Sequence, residues 1–308
     1  MPREAPAVRA QADPSCPLCG GVGHLLWREC QDLEYFVEAD FPFHRCAACG
    51  LVFMHPLPTR AELPGLYPPS YQNFSTPKNA LTAFLVERYH ARHLAVCLRH
   101  LPPGGRFLEI GCADGGLLER LRARGHDARG VELSRDACEV AWGKGLDVFH
   151  GTLEEFETDV RFDLVFMSHV IEHVPDPAVT MARVHALLRP GGAVYVETPN
   201  VGAPDARLFG ARWGLVHYPR HLYLFDRATL RALLEGAGFA VEAERWEVNS
   251  CGWALSVQTA LRRRGFDRSR RPRSRYYPLL LLALLPMNAL DLLLGGTAFM
   301  SAVARRPR

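Results

Sequence analysis

The chain has 308 residues, 48% of them hydrophobic, which suffices for one large domain with a small companion. Its formal net charge of +3 is too small by itself to imply a nucleic-acid partner. The first residues, MPREAPAVRAQADP, carry two arginines and no apolar run, so no secretory signal is visible and the cytoplasm is the expected location. Nine cysteines without such a signal argue against a disulfide framework.

In chain order, residues 1–14 read as a disordered lead and 15–55 as a small cysteine module. Cys16 and Cys19 (CPLCG) and Cys46 and Cys49 (CAACG) make two C-x-x-C pairs with 26 residues between them. Each pair fits a tight turn, with Gly20 or Gly50 behind it, that aims two thiolates at one ion. Four thiolates close a tetrahedron and leave no position for water. The reading is therefore a zinc-ribbon-like module with a structural zinc that lets so small a unit fold. Cys30, Cys97, Cys112, Cys138 and Cys251 read as small buried residues. Residues 56–78 hold six prolines, which excludes a single helix or a central strand and marks a packed linker.

From Asn79 the pattern changes. RFLEIG, DARGVEL, LDVFHG, FDLVFMSH, AVYVETPN and FAVEAERWEV read as six strands. Helical segments alternate with them. Ser134 caps one, Asp176 with Pro177 opens a second that Pro190-Gly191-Gly192 ends, and Asp226 opens a third. The alternation predicts an α/β fold, a doubly wound, mostly parallel seven-stranded sheet over residues 79–249 and 297–308, with TAFMSAVAR as a last antiparallel strand. Residues 250–296 read as an Arg-rich and apolar helical insertion. Eight arginines lie between Arg262 and Arg275, followed by an apolar run broken by Pro286, Asn288 and Asp291 and so short of the ~20 clean residues of a spanning helix. Two readings stand for 262–294: a helical cap with solvated arginines, or a peripheral membrane contact with arginines on anionic headgroups.

Ligands of such sheets bind at the carboxyl ends of the strands. The first of these loops is LEIGCADGG, where Gly111, Gly115 and Gly116 allow close backbone approach. Glu132 follows Gly111 by 21 residues, the position of a ribose-binding carboxylate. The middle glycine of a dinucleotide fingerprint is replaced by Ala113, and Glu109 and Asp114 would repel a pyrophosphate. They suit the sulfonium and ammonium of S-adenosylmethionine.

Here the chain resembles the class I S-adenosylmethionine-dependent methyltransferases, which have a Rossmann-like fold. EIGCADGG, GVELS, GTLEEF, FDLVFMSHVIEHVPDP and LLRPGGAVYVETPN match the motifs of that family in order. Ala113-Asp114 departs from the usual Gly-Thr or Gly-Ser. The resemblance implies cofactor contacts from Glu109, Gly111, Cys112, Ala113, Asp114, Gly115, Glu132, Leu133, Thr152, Leu153, Ser168 and His169. The cysteine module and the LYPPSYQNF linker resemble bacterial sugar and cell-envelope methyltransferases, which implies a sugar or cell-envelope/lipid-linked small-molecule acceptor. Two rivals stand beside it: an RNA methyltransferase reading RNA through its zinc module, which the scarcity of basic residues there disfavours, and a non-catalytic cofactor-binding scaffold.

Methyl transfer to a hydroxyl or carbon acid is helped by a base, for which histidine is suited. His221, in HYPRHLYLF, is the first candidate and His169 the second, with His173 shaping its loop. His217, Tyr218, Arg220 and Tyr223 are the candidates for holding the acceptor.

Overall fold

The computed structural model describes residues 14–68, 71 and 80–308. The lead expected before Pro14, and 69–70 and 72–78 of the linker, lie outside the described residues. The chain opens with three antiparallel strands, β1 (Gly23–Trp27), β2 (Phe43–Cys46) and β3 (Val52–Met54). The helix α1 (Ala80–His100) then leads into the main sheet.

Strands and helices alternate from there: β4 (Arg106–Ile110), α2 (Gly116–Arg122), β5 (Asp127–Glu132), α3 (Arg135–Gly143), β6 (Asp147–His150), β7 (Phe162–Ser168), α4 (Pro177–Leu187) and β8 (Leu188–Pro199). After α5 (Pro204–Phe209) and β9 (Tyr223–Leu224) come α6 (Arg227–Gly236) and β10 (Ala240–Glu247). Three helices, α7 (Cys251–Arg263), α8 (Tyr277–Ala283) and α9 (Met287–Leu293), precede β11 (Phe299–Arg305).

The large sheet has the order β10-β11-β8-β7-β4-β5-β6. Pairing is parallel from β6 through β8 and antiparallel on both sides of β11. Strand β7 is buried along Leu164–Met167, as a parallel strand covered on both faces must be. Chain progression reverses at β4, with β5 and β6 on one side and β7 and β8 on the other, so the ligand crevice falls at the carboxyl end of β4.

The caps are local chemistry. Ser134 accepts from Ala137 N, Asp176 from Ala178 N and Val179 N, and Asp226 forms a reciprocal capping box with Thr229. One boundary differs from the sequence reading. Helix α4 stops at Leu187, before Pro190-Gly191-Gly192, because Leu188 is already extended and begins β8.

The N-terminal strands do not stand alone. β9 pairs antiparallel with β3, setting Leu224 against Val52 and Tyr223 against Phe53, so the small sheet has the order β1-β2-β3-β9. Leu222, Tyr223, Leu224 and Phe225 are all buried. The HYPRHLYLF segment is thus partly a strand of the cysteine module.

The arginines of the insertion also divide. Arg262 is buried, bonding Leu33 O, Asp267 and Ser274, and Arg273 pairs with Glu34. These two tie the insertion to the N-terminal module, Arg262 from the interior and Arg273 from the surface. Among the described residues, no helix is long and apolar enough to cross a membrane.

Candidate active site

The cradle at the end of β4 is built from backbone conformations that side chains resist. Gly111, Ala113 and Gly115 have φ of 72°, 49° and 75°. A Cβ on Gly111 would lie 2.6 Å from Val170 Cγ2, so both conformation and space require glycine there. Glu132, at the end of β5, holds the turn: its Oε2 accepts from Ala113 N (2.9 Å) and its Oε1 from Ser134 N (2.7 Å). Lys144 anchors Asp114 at 3.1 Å.

Glu109 is half-buried, its Oε2 sealed from solvent and, among the described residues, accepting no hydrogen bond. Burial, then the charges of Glu132 and Asp114, push its carboxyl well above the usual range. A cation in the cradle would relieve that. Leu133 is 65% exposed on the rim, while Leu153 is buried. Thr152 donates its N–H to Glu155. Cys112 is buried with its Sγ over Gly130, so only its backbone can face a ligand.

Beside the cradle, α1 and β8 supply a polar cluster that the sequence reading missed. Arg92 contacts both oxygens of Glu197 at 2.8 Å, His93 Nε2 lies 2.9 Å from Glu197 Oε2, and Tyr195 donates to the same oxygen (2.7 Å). Burial opposes ionisation of Glu197, but His93, His169 and Arg92 outweigh it and hold the carboxyl well below its ordinary range. Tyr89 of α1 lies 3.1 Å from Ser168 Oγ at the end of β7. The only sequence signal was the polar face of α1, which precedes the first motif.

His169 follows Ser168 with φ of 56°, its ring 34% exposed. Its Nδ1 lies 3.5 Å from Glu172 Oε1 and its Nε2 3.7 Å from Glu197 Oε1. Burial lowers its basicity, but the two carboxylates raise it further, so the ring titrates above the ordinary histidine value.

His221 is placed otherwise than a surface base would be. It is 5% exposed, with Nδ1 donating to Leu215 O at 2.9 Å. Its Nε2 faces inward, 4.0 Å from Glu172 Oε1. Burial, then His173 and His217, hold it well below the ordinary value, so it is a neutral internal ring. Glu172, His173 and His221 stand close enough for one ion to touch all three.

Three of the four acceptor candidates are bracing groups. Arg220 is 1% exposed; it donates to Asp32 Oδ2 (2.9 Å), Leu66 O (3.2 Å) and Tyr218 O (3.0 Å), and its guanidinium lies 4.8 Å over the Tyr35 ring. Tyr218 accepts from Phe41 N, and Tyr223 donates to Pro175 O. Both are buried, so neither hydroxyl is free to meet an acceptor. His217 remains at a cleft shared with Glu34, Trp213 and Thr259, its Nδ1 3.3 Å from Glu34 Oε2. Burial opposes ionisation of Glu34, yet His217 and Arg273 bring its carboxyl down to about 2.

The cysteine cluster lies at the far end of the small sheet. Cys16 Sγ is 3.6 Å from Cys49 Sγ and Cys19 Sγ 3.5 Å from Cys46 Sγ, close to the roughly 3.8 Å edge of a tetrahedron of thiolates around zinc. Gly20 and Gly50 take φ of 73° and 84° behind the two pairs. Burial opposes ionisation of Cys46, but backbone donors from Cys49 and Ala48 bring its thiol down to about 6.

The main sheet and its helices have counterparts among known proteins. The profile of the methyltransferase domain family matches residues 84–244. The ubiquinone biosynthesis O-methyltransferase of Aromatoleum aromaticum is 41% identical over 105 residues, 32% of this chain and 45% of that protein. The protein of the same name from Aeromonas salmonicida is 33% identical over 153 residues, 45% and 64% of the two chains. The chain thus spans about half the length of these curated relatives. Phosphoethanolamine N-methyltransferase 2 of Haemonchus contortus, solved with S-adenosyl-L-methionine, superposes with a TM-score of 0.53 at 18% identity over 83% of this chain and 62% of that one. That likeness is one of fold. The chain belongs to the methyltransferase domain family. Its residues suit the cofactor, since a glycine-shaped cradle carries a buried, unpartnered carboxylate oxygen where a cationic ligand belongs.

Proposed function

We propose that the enzyme methylates a hydroxyl of a small molecule at the carboxyl ends of β4, β7 and β8. The observation that carries this is the pairing of the Glu109–Glu132 cradle with a His169 about one-third exposed between two carboxylates. When bound, S-adenosylmethionine supplies an electrophilic methyl. Glu132 and the 111–115 backbone hold the nucleoside end, and Glu109 and Asp114 favour its positive charge. Leu133, Thr152 and Leu153 border the adenine, and Ser168 faces the methionine end. His169 takes the acceptor proton at a ring nitrogen, with Glu172 and Glu197 orienting the ring. His221, its Nδ1 proton given to Leu215 O, packs behind Glu172 as an uncharged ring, and His217 with Glu34 lines the acceptor cleft. The names of the relatives support O-methylation. The cysteine module and linker support a sugar or cell-envelope/lipid-linked acceptor, acted on in the cytoplasm.

A screen of nucleotide-sugars, lipid-linked sugars and phenols with labelled S-adenosylmethionine tests the acceptor class. Absence of transfer to any hydroxyl compound would discard it. His169→Ala should lower kcat about 10²–10⁴-fold with cofactor affinity unchanged, whereas His221→Gln should lower it less. The reverse order would return the base to His221.

We further propose that Cys16, Cys19, Cys46 and Cys49 hold a structural zinc, making residues 15–55 a zinc-ribbon-like module. Its support is four sulfurs within 4.8 Å of one another, two pairs of them 3.5–3.6 Å apart, on two glycine-backed turns. Metal analysis should give one zinc per chain, lost in Cys46→Ser.

A further inference from the structure

The insertion between β10 and β11 buries the wrong residues for a helix in water. In α9 the buried side chains are Asn288 and Asp291, at 3% and 0% exposure. Its leucines point outward: Leu290, Leu292 and Leu293 are exposed, Leu293 at 85%, and Leu294 continues the face. Helix α8 turns Leu280 and Leu281 toward the core, yet leaves Leu279 at 68% and Leu282 at 55%, with Leu285 behind them. Internal bonds fix the inverted arrangement. Trp253 Nε1 donates to Asp291 Oδ2 (2.8 Å), and Ser250 Oγ donates to Leu281 O (2.8 Å). A surface helix normally faces its polar residues to water and its leucines to the core. Seven exposed leucines on and beside two consecutive short helices make an apolar surface of the kind that marks an interaction site.

The charge beside it says which kind. Residues 262–294 hold eight arginines against two aspartates, Asp267 and Asp291, in a chain whose net charge is only +3. Arg262 and Arg273 are tied to Asp267 and Glu34. Arg263, Arg264, Arg268, Arg270, Arg271 and Arg275 are exposed and, among the described residues, have no ion-pair partner. Phe266, 77% exposed, sits among them. Unpaired arginines next to an outward apolar face match the two layers of an anionic membrane surface, phosphate outside and hydrocarbon beneath.

We propose that α8 and α9 lie in the interface of an anionic lipid bilayer, leucines in the acyl boundary and the 263–275 arginines on the headgroups, without crossing it. The inference rests on the insertion alone and is independent of the acceptor. It is tested with the full chain by co-sedimentation with vesicles of phosphatidylcholine alone or mixed with phosphatidylglycerol. Binding to the anionic vesicles should exceed binding to the neutral ones by more than about tenfold, and should fall as salt rises. Leu282→Glu with Leu293→Glu should abolish it, and Arg270→Glu with Arg271→Glu should weaken it about tenfold or more. Both pairs alter exposed positions, and far-ultraviolet circular dichroism confirms that the variants fold. Failure to sediment with either vesicle at low salt would overturn the proposal, as would binding indifferent to the leucine substitutions. So would a vesicle-free dimer that Leu293→Glu converts to monomer, since the leucine face would then belong to a second copy.

Discussion

The proposed cofactor side and the proposed acceptor side of this protein are built by opposite means. The cradle draws on short contiguous stretches: Gly111 to Gly115, Glu132 to Ser134, Ser168 to Glu172. The first two are strand-to-helix turns held by bonds a few residues to about twenty apart in sequence, such as Ala113 N to Glu132, and the third adds longer ties, from Tyr89 to Ser168 and from Leu222 N to Glu172 O. The acceptor side is assembled from the whole chain. Arg220 meets Asp32 across 188 positions, Tyr218 meets Phe41 across 177, and Arg262 meets Leu33 across 229. A methyl donor common to a family can be held by portable turns, whereas the acceptor wall is particular to how one chain closes on itself.

Arg220→Ala strikes the second kind of construction hardest. Both partners are fully enclosed, so removal of the guanidinium strands Asp32 and should cost about 3–5 kcal/mol of stability, read by denaturant unfolding. Gly111→Val strikes the first kind. The added side chain meets Val170 in a left-handed turn, and S-adenosylmethionine affinity measured by calorimetry should fall about a hundredfold or more with the fold intact. If instead Arg220→Ala abolished cofactor binding in folded protein, the two sides would not be separable. Chelation, or Cys46→Ser, should sharpen the contrast: melting falls by roughly 5 °C or more and methyl transfer drops, while cofactor affinity of the folded fraction stays within about threefold.

The smallest effect is one of pH. Burial pushes the Asp205 carboxyl up to about 6; its bond from Trp213 opposes this and Asp291 adds to it. The folded state then holds a proton that the unfolded chain has already released. Stability should therefore fall as pH rises from about 4 to about 6, by roughly 1–3 kcal/mol, and Asp205→Asn should flatten that slope.

The same division governs what was legible in the sequence. Ser134, Asp176 and Asp226 announce helix starts because a cap bonds only to its own first turn. The succession of strands and helices followed from alternation and apolar runs, and the candidate cradle from glycine and carboxylate spacing. Tyr223-Leu224 could not be read as a strand, since two residues become one only through Val52 and Phe53. Arg220 and Tyr223 looked like ligand-binding groups because polar side chains in a loop give no hint that Asp32 and Pro175 will enclose them. Arg262 was hidden within a run that looked uniformly solvated. Glu197 and its α1 partners escaped notice because a carboxylate inside a strand carries no spacing signal until Arg92 and His93 arrive from 105 and 104 positions away.

The pairing of β9 with β3 has a consequence for how this enzyme can be cut or recombined. A fragment ending in the proline-rich stretch would carry three strands and an open hydrogen-bonding edge at Val52 and Phe53, an invitation to aggregate. A fragment beginning after it would leave Leu222 to Phe225 bare to water. The cysteine module is thus not a cassette that gene fusion could exchange while leaving the methyltransferase domain intact; the covalent order of the chain and its mechanical joints fall in different places.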